Sequence, residues 1–202
     1  MPKPILPFLG IFAFLTVSAP AEIIFNLPNN TDISGVRLFG QTFVAPIEDD
    51  FLSIFTVRVH SDSPNTLFDI RVANWDNTND VINGPILFAS ATQSAQPGGY
   101  TDFAVSPNLS LVAGGQYIAF IDNVEPNYFP TGHLTVGGDS NDDYSQGAFA
   151  FPSSEQIDST WDVYANGQDL SFGATFVPEP LMFAAIGLSF LAATCRRPGR
   201  AN

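Results

Sequence analysis

Three features of the sequence predict an all-β protein, an antiparallel β-sandwich of jelly-roll type. Apolar and polar residues alternate with period 2, no stretch of helical length carries a 3.6-residue apolar period, and turn-forming residues punctuate the apolar runs. The clearest strand is Asp169 to Val177, where Leu170, Phe172, Ala174 and Phe176 fall on one face and Ser171, Gly173 and Thr175 on the other. Similar strands are expected at Gln41 to Val44, Leu52 to Ser61, Leu67 to Ala73, Ile86 to Ser90, Thr101 to Val105, Gln116 to Asp122 and His133 to Val136. Reversals between them are expected at Ser63-Pro64-Asn65, Asn83-Gly84-Pro85, Pro97-Gly98-Gly99, Gly114-Gly115 and Asn166-Gly167. Without crossover helices a parallel sheet cannot be wound, so the strands must pair antiparallel in two packed layers.

At 202 residues the chain has room for one ordinary domain plus processing segments. Its charge is unevenly placed. Between Glu22 and Phe176 stand 19 acidic residues and 3 arginines, a formal charge of −16 with no lysine. Such a polyanion repels phosphate backbones, so nucleic acid is not an expected partner. Cys195 is the sole cysteine and lies outside this acidic body, so the fold must hold by packing without an intramolecular disulfide.

Both ends are apolar. Residues 1–21 have the layout of a secretory signal peptide: Lys3 gives a positive start, Ile5 to Val17 a short apolar run, and Ala19-Pro20-Ala21 a small-residue cleavage site before Glu22. The competing reading is an N-terminal anchor, for which the run is shorter than the ~20 residues of a membrane span. At the other end, residues 177–202 begin with Val177-Pro178-Glu179-Pro180, continue through the apolar run Leu181 to Cys195, and close with Arg196, Arg197 and Arg200. Fifteen helical residues reach about 22 Å against a hydrocarbon core of about 30 Å, so residues 181–195 make a short membrane contact that relies on bilayer thinning or arginine snorkelling. The arginines favour the cytoplasmic side and leave the acidic body, residues 22–176, outside.

The proline motif, the short apolar helix and the terminal arginines together resemble the PEP-CTERM sorting signal. The resemblance implies recognition by an exosortase-type membrane protease and an exported, transiently membrane-anchored protein of the cell envelope or extracellular matrix. An ordinary C-terminal anchor is the alternative. The segments around Gln41-Thr42-Phe43, Trp75-Asp76, Gly84-Pro85-Ile86-Leu87, Ala113 to Phe120, Trp161-Asp162 and Asp169 to Phe172 are similar to the sandwich ectodomains found on PEP-CTERM proteins. That likeness implies a fold and no activity.

Candidate chemistry is sparse. Two loops, Asp76 to Asp80 and Asp139 to Asp143, have the oxygen-rich composition a Ca2+ ion takes. In the second, Asp139, Asn141 and Asp143 match the first three ligand positions of an EF-hand loop, but Tyr144 stands where glycine is needed and Ala150 where the closing glutamate would be. Asp and Asn are equally at home in solvated turns. His60 and His133 sit in no nucleophile or zinc motif, and among 19 body acids no carboxylate pair is singled out for glycoside hydrolysis. The expected body is therefore non-enzymatic, with a secreted glycoside hydrolase as the lesser alternative. Tyr128, Phe129, Tyr144, Trp161 and Tyr164 are candidate faces for extracellular polysaccharide, as in a carbohydrate-binding module, while Trp75 and Trp161 equally suit the ends of the core. Ice binding is a weaker alternative, since no flat array of spaced threonines is present.

Overall fold

The structure is a computed structural model that describes residues 22–26, 31–34, 36–123, 134–139, 144–154, 156–164 and 168–178. The strands are β1 (Glu22–Asn26), β2 (Thr31–Ile33), β3 (Leu38–Val44), β4 (Phe51–Ser61), β5 (Thr66–Asp76), β6 (Val81–Ala89), β7 (Gln93–Ala95) and β8 (Thr101–Val105). They continue as β9 (Leu109–Ser110), β10 (Gln116–Asn123), β11 (Leu134–Asp139), β12 (Phe149–Pro152), β13 (Trp161–Val163), β14 (Asp169–Leu170) and β15 (Phe172–Val177). No helix occurs among the described residues. The expected signal segment and the apolar run 181–195 lie outside them.

Two antiparallel sheets face each other. The spine of the first is β4: β15 and then β11 pair along one edge, β8 and β9 along the other. Outside β15 lies β1, outside β11 lies β2, and β14 pairs with β11 on the edge that faces β4. The second sheet has the order β13-β12-β3-β10-β5-β6, with β7 also on β5. Alternation along β4 explains the layering. Leu52, Phe55, Val57 and Val59 point into the core, while Ile54, Thr56, Arg58 and His60 point out. Facing them from the second sheet are Phe39, Phe43, Phe68, Ile70, Val72, Tyr117 and Ile121. Phe43 lies at the centre, its ring 6.4 Å from Phe55, 5.8 Å from Tyr117 and 6.0 Å from Phe176. Each such ring, fully withdrawn from water, contributes about 1.5–3 kcal/mol before ordering costs.

A buried polar tie crosses between the sheets. Gln41 on β3 donates from Nε2 to Asp169 Oδ1 at 2.8 Å and accepts from the Leu170 amide at 2.8 Å, while the Tyr144 amide donates to Asp169 Oδ2 at 2.9 Å. With both side chains fully buried, their partners make burial tolerable and fix the register of β14 against β3.

The second sheet is unusual in burying both faces. On its outer side Leu38, Ala73, Trp75, Ile118, Phe120, Ala150 and Trp161 form a second apolar cluster. The chain between β12 and β13 folds over it, pinned where the Trp161 amide donates to Asp80 O (2.8 Å) and the Trp161 indole donates to Ile157 O (3.2 Å). Gly40 must be glycine for this cover to seat: a Cβ there would come within 2.6 Å of Ile118 and 3.0 Å of the Trp161 ring.

One expected turn is corrected. Asn83, Gly84 and Pro85 do not reverse the chain but lie inside β6, opposite register irregularities in the β5–β6 pairing. An edge strand tolerates the missing amide of Pro85, and Gly84 at φ 101° supplies the left-handed conformation of the bulge. The reversal instead occupies residues 77–80.

Candidate functional site

The sequence-derived positions fall in different places. Val177 closes β15 and Pro178 follows it; Glu179, Pro180, Arg196, Arg197 and Arg200 lie outside the described residues. Asp139 ends β11, its backbone paired with Asp169, while Asn141 and Asp143 lie outside the described residues, as do Tyr128, Phe129 and His133. In the other acidic loop the Asp76 carboxylate is spent on its own turn. It accepts from the Thr78 amide (2.9 Å), the Asn79 amide (3.3 Å) and Asn79 Nδ2 (2.8 Å). The Asn79 side chain foremost, then the Thr78 amide, hold this carboxyl below its usual pKa. Among the described residues no group of three metal-ligating side chains converges.

The aromatic candidates divide. Trp161 is buried against Trp75 and Phe120, ring centroids 6.1 and 5.6 Å away, so both tryptophans serve packing. They fill the outer cluster of the second sheet rather than the ends of the core. Half-buried Tyr144 stands edge-on to Phe172, and its hydroxyl takes the Val44 amide at 3.0 Å. Tyr164, alone of the described candidates, is well exposed, at 40%; it stacks on Phe149 and lies tilted against Phe151.

A polar and aromatic strip that the sequence reading did not single out runs across the outer face of the first sheet. Alternation on β4 aims Arg58 and His60 outward, and antiparallel register sets Arg58 beside Asp102 of β8. The guanidinium meets that carboxylate in a fork, Nε to Oδ1 at 2.7 Å and Nη2 to Oδ2 at 3.0 Å, which raises the arginine pKa. The Tyr100 ring stands edge-on to the His60 imidazole, centroids 5.1 Å apart, and its hydroxyl donates to Asp32 on β2 at 2.5 Å. Burial first, then the Asp32 carboxylate, push the Tyr100 phenol well above its usual pKa. Because β2 and β8 stand on opposite sides of the β4–β11 pair, Tyr100 straps four strands together. His60 Nδ1 is buried and without a partner among the described residues, while Nε2 lies 3.8 Å from Asp62. The strip combines ring faces, a fixed carboxylate and a guanidinium, the groups that recognise vicinal hydroxyls. The outward alternation of Arg58 and His60 was its one sequence signal.

On the opposite face Asp122 takes Arg37 Nε at 2.9 Å and Arg71 Nη2 at 3.1 Å, and the same Arg71 atom lies 2.9 Å from Asp69. These are carboxylates brought close, yet guanidinia clamp both. That is an ion-pair network, which suits holding strands more than moving protons.

No protein-family profile matches the chain, and no curated protein matches it. Among solved structures it is similar to two of the clostridial protein Cwp84. One is the cysteine protease after propeptide cleavage, with 12% identity and a TM-score of 0.52. The other comprises the cysteine protease and lectin-like domains of this surface layer associated protein of Clostridium difficile, with 13% identity and a TM-score of 0.52. Each likeness covers 79% of this chain but 40% and 36% of the respective neighbour, so the chain spans well under half of either. At this identity the likeness speaks to the sandwich fold.

Proposed function

We propose that this chain is an exported cell-surface or matrix protein, sorted through its C-terminal tail by an exosortase-type membrane protease, with no catalytic role. The observation that carries the reading is the pairing of Glu22 with Phe176. The described sandwich thus begins on β1 and finishes on β15, adjacent strands whose outer ends lie together, which supports a body flanked by two separable segments. Removal of either segment then cuts no strand of the core. Within residues 22–176 there is no cysteine to serve as a protease nucleophile, despite the neighbours' name. The test is Glu179→Ala in the source cell: the sorting reading expects a full-length tail to accumulate in the membrane fraction, and unchanged processing would reject it.

A second reading, association with extracellular polysaccharide, is favoured by the Arg58–His60–Tyr100 strip and accords with the lectin-like domain named for one neighbour. Affinity electrophoresis through polysaccharide-containing gels should retard the wild-type body and release Arg58→Ala. Equal mobility with and without every polymer tried would leave a purely structural surface protein.

A further inference from the structure

The two most exposed large apolar side chains among the described residues are Ile47, at 82%, and Val112, at 72%. They lie far apart in sequence but at one end of the sandwich. Ile47 sits in the β3–β4 connection and Val112 in the β9–β10 turn, and backbone bonds lace the two together: Ala45 N to Gly115 O, Gly114 N to Ala45 O and Leu111 N to Asp50 O, each 2.9 Å. Phe51, the first residue of β4, pairs with Val177 and with Ser110, so β15 ends at this same end. Beside it β1 begins, and Ile23 is 61% exposed.

We propose that this end of the sandwich is a membrane-docking surface, in which Ile47 and Val112 enter the headgroup layer of a lipid bilayer of low net charge. The proposal rests on the anchoring reading above. Pro178, Glu179 and Pro180 alone separate β15 from the apolar run that starts at Leu181, and three extended residues reach about 10 Å. With 181–195 in the bilayer, the Ile47–Val112 end is tethered within that distance of the interface. Exposed apolar side chains held there are withdrawn from water at no further ordering cost to the backbone. They also compensate for a tail too short to span comfortably. Lipid charge follows from the body: −16 formal charges, with Glu48 exposed beside Ile47, repel an anionic surface.

The test places a single fluorophore on the full-length Cys195→Ser chain in phosphatidylcholine vesicles carrying a headgroup-level quencher. The label sites are Ile47→Cys, Val112→Cys or, at the far end of β4, Gly99→Cys, where an added Cβ meets nothing within 4 Å. Ten residue steps along β4 separate the ends by about 33 Å. Labels at 47 and 112 should be quenched several-fold more than the label at 99. Equal quenching in protein that floats with the vesicles overturns the docking surface and leaves anchoring intact, whereas failure to float overturns both. Ile47→Ser combined with Val112→Ser should hasten dissociation from vesicles roughly tenfold with unchanged melting. Unchanged dissociation would also reject the proposal.

Discussion

The two outer faces of the sandwich are built on opposite plans. On the first sheet no described residue folds over the outward row of β4, where Arg58 pairs with Asp102 and the His60 ring meets Tyr100 edge-on. On the second sheet the outward row is Leu38, Ile118, Phe120, Ala73 and Trp75, and the chain before β13 closes over it with Trp161. One face is thus a surface and the other a second core. An ion pair accordingly means different things within one fold: Asp122 is buried under its arginines, whereas Asp102 is exposed beside Arg58.

Breaking the covered face should cost most. Trp161→Ala should destabilise the body by about 3–5 kcal/mol in chemical denaturation, since it empties the space shared with Trp75 and Phe120. Next in size, Asp122→Ala takes the carboxylate from Arg37 and leaves Arg71 with Asp69 alone, and should cost about 2–3 kcal/mol, less than for a fully buried pair because Arg37 is 40% exposed. On the open face Arg58→Ala should change stability by less than about 1 kcal/mol, an effect that fades further in high salt. A cost comparable to that of Asp122→Ala would erase the distinction between the faces.

The smallest effect is one of pH. A phenol whose pKa is raised on folding stabilises the native state fully below the unfolded tyrosine value near 10, and this contribution is lost as pH rises through the higher folded value. Stability of the wild type should therefore fall in strong alkali, and Tyr100→Phe should flatten that fall. The ultraviolet tyrosinate titration should correspondingly lose its last step. Were the late step to persist in Tyr100→Phe, the strap from Tyr100 to Asp32 would be misassigned.

Strands with clean alternation were legible in the sequence. Thr101 to Val105 matches β8 residue for residue, and Asp169 to Val177 is β14 and β15 with a break at Ser171, where the strand passes from β11 to β4. Others were read short. The expectation began at Gln41, but β3 starts at Leu38, because a strand buried on both faces reads Leu38-Phe39-Gly40 without alternation. Strands of two or three residues, β2, β7, β9 and β13, carry too few positions to display a period at all. Asn83-Gly84-Pro85 misled because a bulge on an edge strand uses the same residues as a turn.

The candidate strip was less legible than the fold. Arg58 and His60 are visible as outward residues of one strand, but their partners Asp102, Tyr100 and Asp32 reach them through pairings that no local pattern encodes. The aromatic residues were ambiguous for a related reason. Burial of Trp161 depends on the 153–161 segment folding across a sheet face that is more often solvated.

Intact mass of the protein recovered from medium and envelope decides between export with processing and retention in the cell. Export with processing predicts a species that begins at Glu22 in both fractions and, once released, lacks Arg196, Arg197 and Arg200. Recovery of the full 202-residue polypeptide from the cytosol, with both apolar ends intact, would contradict it.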